Sequence, residues 1–162
     1  MSESGQAIRG HILIADFANV DAASKVNILG GNLSFLGTGP DGMTAPVTVY
    51  AILISPSALD EPVAVEIVLV DASGHPVLMP TQDGKTQALR VAQNIEFQAP
   101  TLPGILIPKG SVETSSQMIL NFPNGLPLQS GSSYTWRLQV DHDVIASAAF
   151  YIPQPPAAPV IG

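Results

Sequence analysis

Fifteen prolines and fourteen glycines are spread along the 162 residues, and the apolar segments left between them are short. Proline removes a backbone donor and clashes inside a helix, and glycine weakens one, so long helices are excluded wherever these residues recur. The segments are rich in valine, isoleucine and leucine, and few show a helical period over eleven or more residues. Segments of this kind, bounded by turn-forming residues, predict β-strands.

The pattern predicts about eight or nine strands, with a turn at nearly every boundary. They cover residues 10–20, 25–36, 46–55, 62–71, 76–79, 87–99, 116–123, 134–140 and 144–152. The first two should form a hairpin around the turn "DAAS". Gly30 and Gly31 interrupt the second segment, which indicates a β-bulge or a close approach of another backbone.

The last hairpin carries the clearest pattern. In "SYTWRLQVD", Tyr134, Trp136, Leu138 and Val140 alternate with polar residues, which predicts one buried face and a buried Trp136. The turn "DHD" follows, and "VIASAAFYI" pairs back. Many short strands with almost no helix predict an all-β, antiparallel, immunoglobulin-like β-sandwich that forms a single domain over residues 1–152.

Residues 153–162, "PQPPAAPVIG", contain four prolines and no charge. Proline-rich segments favour the extended polyproline II conformation, so this segment is predicted to be an extended tail outside the sandwich. An uncharged apolar tail of restricted flexibility is suited to lie across a neighbouring protein. The predicted partner-binding residues are Ile152, Pro153, Pro155, Pro156, Pro159, Val160 and Ile161.

Only 12% of the residues are charged, 46% are hydrophobic, and the mean hydropathy is +0.30. Either part of the surface is covered by a partner, or small polar side chains take the place of charges on the outer faces. The longest nearly unbroken apolar run, residues 47–54, is far shorter than the roughly 20 residues that span a membrane. The N-terminal residues lack the pattern of a signal peptide, so none is expected.

The net charge of −7 and the scattered positions of six basic residues argue against direct binding of nucleic acid. The absence of cysteine excludes disulfides and cysteine-ligated zinc, and it fits a reducing compartment.

Residues 36–43, "LGTGPDGM", contain the pattern G-x-G-x-x-G at Gly37, Gly39 and Gly42. A dinucleotide-binding loop must lead into a helix, whose N-terminus holds the phosphate. Here Pro40 lies inside the pattern and Pro46 follows it, which excludes a long helix. The segment is therefore predicted to be a loop between two strands.

No other constellation indicates catalysis or a cofactor. His11 begins a strand, whereas His75 and His142 lie in predicted turns, and no G-x-S-x-G motif accompanies them. The "DHD" sequence at residues 141–143 offers metal-ligand types, but a solvated turn explains it better. Asp16 interrupts an apolar strand and should be paired, exposed or at an edge, with an ion pair or backbone hydrogen bond favoured. We therefore predict a protein without enzymatic activity, metal or cofactor.

The chain resembles an uncharacterised β-sandwich family of actinobacteria and their phages. Its members begin with A-D-x-A-x-V and then K-x-x-I-L-G-G, and they end with a hairpin whose first strand is G-x-Y-x-W-x-L-x-V. The matching N-terminal residues here are Ala15, Asp16, Ala18, Val20, Lys25, Ile28, Leu29, Gly30 and Gly31. The resemblance covers both ends of the chain and carries no activity.

The expected function is that of a structural or interaction protein, most specifically a phage virion component such as a capsid decoration protein. Its partners would be further copies of itself, a major capsid protein or another assembly protein, and its location the capsid surface. The alternative is an intracellular immunoglobulin-like module that binds a peptide or small ligand, with a cytoplasmic location. A ligand pocket would then draw on the loops "GTGPDG" and "TLPGILIPKG".

Overall fold

Two antiparallel β-sheets pack face to face, and residues 8–154, which the computed structural model describes, contain no helix. The strands are β1 (Arg9–Ala15), β2 (Phe17–Val20), β3 (Val26–Leu29), β4 (Val47–Ser55), β5 (Val63–Asp71), β6 (Leu78–Pro80), β7 (Thr86–Ala88), β8 (Arg90–Ile95), β9 (Thr114–Phe122), β10 (Ser132–Val140) and β11 (Asp143–Ile152). The predicted all-β sandwich is confirmed.

The described residues form eleven strands because two of the predicted segments break. The first breaks at Asp16, where the chain leaves the pairing of β1 with β4 and begins the β2–β3 hairpin. The segment 87–99 breaks at Leu89, which separates the short strand β7 from β8. The predicted hairpin of the first two segments is present as β2 and β3, and its second strand ends at Leu29, just before the two glycines.

The three-stranded sheet has the order β1-β4-β9, and the four-stranded sheet has the order β11-β10-β5-β8. Two small sheets, β2-β3 and β6-β7, are attached to this frame. Two antiparallel sheets that pack face to face around one core make a β-sandwich.

The core lies between the inner faces of the two sheets. Alternate residues of β4 and β10 point into it, as the period of two requires. Trp136, at the middle of β10, is 1% exposed and stacks on Phe122 of β9, with the ring centroids 5.7 Å apart. The other large side chains that are fully buried include Phe97, Ile14, Leu53, Ile67, Leu69, Leu138 and Ile152.

A tyrosine near the start of β10 ties the preceding connection to the sandwich. The Tyr134 hydroxyl accepts a hydrogen bond of 3.0 Å from the backbone N–H of Gln129, five residues earlier, and the Tyr134 ring stacks on Phe150. Immunoglobulin-like domains have the same feature, a tyrosine corner, at this point of the fold. The corner fixes where the connection from β9 turns into β10.

Tyr134→Phe should lower the free energy of unfolding by about 1–2 kcal/mol, because it leaves the Gln129 N–H without its acceptor. Urea denaturation measures the change. Tyr151→Phe is the matched control, since Tyr151 is exposed on β11 and should show little change. Equal stability of the two variants would contradict a stabilising role for the corner.

The described chain enters and leaves the sandwich at opposite ends. Arg9, the first residue of β1, pairs with Ile54 near the end of β4. Ile152, the last residue of β11, pairs with Ser132 at the start of β10. A short connection joins the end of β4 to the start of β5, and the start of β10 lies beside the end of β5. The first and last strands therefore run in the same direction along the sandwich.

Candidate protein-interaction site

The connection from β8 to β9, residues 96–113, exposes a group of large apolar side chains. Leu102 is 55% exposed, Ile105 62% and Leu106 93%, and Val112 is exposed farther along the same loop. Isolated apolar residues are common on protein surfaces, whereas several large ones within one loop make that loop a candidate interaction site. We call residues 102–112 the apolar loop.

Turn chemistry holds the apolar loop in shape. Leu102, Pro103, Gly104 and Ile105 form a β-turn in which the Ile105 N–H donates to the Leu102 carbonyl at 3.1 Å. Pro103 occupies the second position and Gly104, with φ of +75°, the third, as a type II turn requires. A segment held by such a turn has less conformational entropy left to lose in any binding event.

Directly after the apolar loop, β9 forms one edge of the three-stranded sheet. It pairs with β4 through nine consecutive residue pairs without a bulge. Its sequence, "TSSQMILNF", contains no charged residue and no proline. On its other side, the described part of the chain provides no neighbouring strand, so the backbone groups along this edge are open to pairing.

The outer face of this sheet is neutral around the middle of β9. The Tyr50 hydroxyl on β4 donates to Gln117 Oε1 on β9 at 3.1 Å, and Ile119 lies half-buried opposite Tyr50. Partial burial raises the pKa of the Tyr50 phenol above its ordinary value, so the hydroxyl stays protonated and remains a donor. The face next to the open edge thus presents apolar and neutral polar groups.

A second apolar feature lies beside the other end of β9. Phe17 and Leu29 are directly opposite each other on the β2–β3 hairpin, and both are exposed. Phe17 lines a small cavity of about 230 Å³ together with Asn121, Phe122 and Pro123. The β9 edge is therefore flanked by exposed apolar side chains at both of its ends.

The residues that carry the N-terminal part of the family resemblance form a structural junction. The backbone N–H of Asp16 donates to the carbonyls of Leu29 and Gly30, so Asp16 makes backbone hydrogen bonds, one of the two favoured predictions. The Asp16 residue itself is exposed. Gly30 has φ of +59°, and a Cβ there would overlap the Asp16 carboxylate. Ala15 and Ala18, which stand before and after Asp16 in the sequence, are buried.

The G-x-G-x-x-G segment is a loop between strands, as predicted. Thr38 and Thr44 form a bridge, and the chain turns between Gly39 and Gly42. The N–H of Gly39 bonds to the Met43 carbonyl and that of Gly42 to the Gly39 carbonyl, while the N–H of Met43 bonds to the Asp41 carboxylate. These amide groups are already used within the loop.

The three histidines lie apart. His11 is on the outer face of the three-stranded sheet, His75 in the turn after β5 and His142 in the turn between β10 and β11. Asp141 and His142 have φ of 48° and 74°, which makes the predicted "DHD" turn a two-residue hairpin turn with a left-handed backbone. No group of three metal-binding side chains occurs within residues 8–154.

Two expectations about binding segments need correction. Ile152, predicted to contact a partner, is 0% exposed because it is the last core residue of β11. The loops "GTGPDG" and "TLPGILIPKG" lie at opposite ends of β4, so one ligand pocket cannot use both: Thr44 bonds to Leu126 near the start of β4, and Thr114 bonds to Ser57 beyond its end.

The rest of the predicted tail is only partly described. Pro153 is half-buried, and the side chain of the next residue, Gln154, lies against Gly131. The predicted partner-binding residues Pro155, Pro156, Pro159, Val160 and Ile161 lie outside the described residues, and their role stays a prediction.

Sequence reasoning missed the β9 edge, since strand order follows from long-range pairing. The absence of charge in "TSSQMILNF" was a signal in the sequence, but it becomes informative only once the strand is known to be an edge. The segment "TLPGILIP" was also recognisable in the sequence as an uncharged loop. Its apolar character is unusual for a loop segment.

No helix long and apolar enough to cross a membrane occurs in residues 8–154. No protein-family model matches the chain. No curated protein matches it either. Among solved structures, the chain aligns with the alkylpurine DNA glycosylase AlkC of Pseudomonas fluorescens bound to DNA containing an abasic site analog, at 12% identity and a TM-score of 0.37. The alignment covers 91% of this chain and 31% of that one, so the chain spans about a third of the glycosylase. A likeness this weak supports no conclusion about function.

Proposed function

We propose that this protein is a non-enzymatic structural protein that binds other proteins in a larger assembly. More specifically, we propose a phage virion component such as a capsid decoration protein, located at the capsid surface. Its partners would be a major capsid protein or another assembly protein, together with further copies of the chain. No cofactor is needed for this role.

The apolar loop is the observation that carries the proposal. Leu106 is almost completely exposed, and Leu102 and Ile105, the two ends of the proline-glycine turn that precedes it, are exposed as well. Keeping such side chains in water is unfavourable, and burying one of them under a partner contributes roughly 1.5–3 kcal/mol. An apolar loop held in shape by a turn can bind another protein with little loss of entropy, as a capsid decoration protein must.

The sequence resemblance supports the phage context. In the N-terminal signature, the two buried alanines and Gly30 form the junction between β1 and the β2–β3 hairpin. In the C-terminal signature, the Y-x-W pattern supplies Tyr134 of the tyrosine corner and the buried Trp136. The resemblance therefore extends to residues that specify the fold, and the family occurs in phages of actinobacteria.

The test measures the protein in purified particles. Particles of the phage whose genome carries this sequence are isolated on a density gradient, and the chain is quantified by mass spectrometry against the major capsid protein. We expect a fixed ratio of the two. Leu106→Asp should lower that ratio at least tenfold, since a loss of about 1.4 kcal/mol is a factor of ten in affinity.

Val144→Asp is the control for this experiment, because Val144 is also exposed but lies on β11, outside the apolar loop. It should leave the ratio unchanged. Absence of the chain from particles, equal effects of the two variants, or a gene that lies outside any phage or prophage would overturn the virion role.

An intracellular binding module is the second candidate, and one groove favours it. A cavity of about 300 Å³ lies over β5, β8 and β10 and is lined by polar side chains, among them Glu66, Gln93, Asn94, Gln139 and His142. Such a groove suits a small polar ligand or peptide. Two results together would favour this function. The protein would be absent from particles, and the NMR signals of the groove residues would shift when a cell-extract metabolite fraction is added.

A further inference from the structure

We propose that the open edge of β9 pairs with β9 of a second copy, in antiparallel orientation about a twofold axis, to form a continuous six-stranded sheet. The pairing is a property of the isolated chain and does not rest on the virion role. It assigns one defined surface to self-association.

The first argument is that β9 lacks the devices by which edge strands normally avoid pairing. Edge strands are usually short, bulged, covered by other segments, or interrupted by charge or proline. β9 has nine residues in an unbroken register and contains neither charge nor proline. A long, regular, uncharged edge is a template for another strand.

The second argument is that each of the other three edges of the two large sheets carries a feature that limits pairing and that β9 lacks. Leu33 donates its N–H to the Ile14 carbonyl beside β1. Segment 34–36 pairs with Tyr151 beside β11. β8 has only six residues and begins with Arg90, whose guanidinium lies 3.6 Å from the carboxylate of Glu66. The contrast makes β9 the edge that the fold leaves available.

The third argument is that β9 is complementary to itself. With Met118 opposite Met118 of the second copy, Gln117 faces Ile119 of that copy, and Ser115 faces Asn121. Each pair lies on the same face of the joined sheet, and no pair sets like charges against each other. A strand with a charge near its middle would repel its own copy in this arrangement.

The fourth argument concerns the flanking apolar groups. Antiparallel pairing brings the start of one β9 to the end of the other. Val112 of one copy, which lies just before β9, then comes beside Phe17 and Leu29 of the second copy, and the twofold axis repeats this contact. A specific dimer buries roughly 800 Å² on each partner, which is more than one strand edge supplies. Val112 and the hairpin provide additional apolar area, and Leu106 of the apolar loop stays available to a different protein.

The experiment uses the full chain and a pair of opposite charges at one position. Ile119 is half-buried on the outer face near the twofold axis, diagonal to Ile119 of the second copy. We expect the wild type to be dimeric by sedimentation equilibrium at about 50 µM, the concentration to be used. Ile119→Lys alone and Ile119→Glu alone should each be monomeric, because two like charges meet across the axis. An equal mixture of the two variants should form the heterodimer.

Val91→Lys is the control, since Val91 is an exposed apolar residue on the edge strand β8 of the other sheet. It should remain dimeric. A monomeric wild type, a mixture of the two charge variants that stays monomeric, or dissociation by Val91→Lys but not by Ile119→Lys would overturn the proposal. The last result would place the interface on β8. If the β9 edge pairs only with a strand from a different protein, the wild type will be monomeric, and the proposal is then wrong as well.

Hydrogen exchange of the wild type keeps the proposal testable if the charge variants do not fold. Every second amide of residues 114–122 points to the open edge, and these amides should exchange at least tenfold more slowly at 200 µM than at 1 µM, the concentrations to be compared. Exchange rates in β9 that do not depend on concentration would show that the edge stays open.

Discussion

Trp136→Ala is expected to lower the free energy of unfolding by about 3–5 kcal/mol, the range found when a fully buried aromatic side chain is truncated. Trp136 is the largest fully buried side chain in the described part of the chain, and it lies on β10, one of the two inner strands of the four-stranded sheet. Its ring stacks on Phe122 of the opposite sheet. Truncation would therefore leave a cavity where the two sheets meet, and a cavity adds to the lost burial.

Trp136→Phe separates the two contributions of the indole. The indole N–H is buried and has no acceptor among the described residues, and an unpaired buried donor is itself unfavourable. Phenylalanine keeps the stacking on Phe122 and removes that donor, so we expect a loss of about 2 kcal/mol or less. Urea denaturation, followed by two spectroscopic probes, gives the change in the free energy of unfolding for both variants. A loss for Trp136→Phe as large as for Trp136→Ala would show that the indole fills the core in a way that no smaller ring can replace.

Gly125→Ala is expected to lower the free energy of unfolding by about 2–5 kcal/mol, from two causes that act together. Gly125 has φ of +71°, and a side chain in the left-handed region costs roughly 1–2 kcal/mol. A Cβ at Gly125 would also overlap the backbone carbonyl of Thr44, and overpacking of this kind costs about 1–3 kcal/mol. Thr44 cannot easily move, because it forms two hydrogen bonds of 2.9 Å with Leu126.

Gly84→Ala is the matched control for this variant. Gly84 has φ of +78°, but a Cβ there would meet open space, so only the backbone term applies. Thermal unfolding followed by circular dichroism should give a clearly larger loss for Gly125→Ala than for Gly84→Ala. Equal losses would mean that the contact between the Gly125 turn and Thr44 relaxes without cost.

Local patterns predict the strands of this protein because an exposed side and a core side alternate along them. The alternation from Tyr134 to Val140 correctly predicts β10 and the burial of Trp136, and the short turns around it correctly predict the β10–β11 hairpin. The break at Asp16 was not predicted, because one strand was expected to run through "IADFANV" with Asp16 paired, exposed or at an edge. The break is set by the backbone groups of Leu29 and Gly30, which are distant in sequence.

The candidate site was harder to predict because it depends on which strands lack a neighbour. Residues 116–123 were predicted as a strand, but nothing within them indicates that β4 covers one side and that the other side is open. The burial of Ile152 shows the same difficulty at the end of β11. It was predicted both to end the last strand and to contact a partner together with the neighbouring prolines, whereas its pairing with Ser132 and its full burial fit only the first of these.

The opposite positions of Arg9 and Ile152 determine how the sandwich would respond to mechanical force. A pull applied through these two residues acts along β1 and β11, parallel to the strands. The ladder bonds of β1 with β4 are then loaded in shear and share the force, so several must break in the same event. Pulling from Arg9 and Gly125, which lies at the far end of β9, would instead load the sandwich through its open-edged strand. A sandwich held at its first and last strands acts as a stiff spacer about 30 Å long, the length of a nine-residue strand.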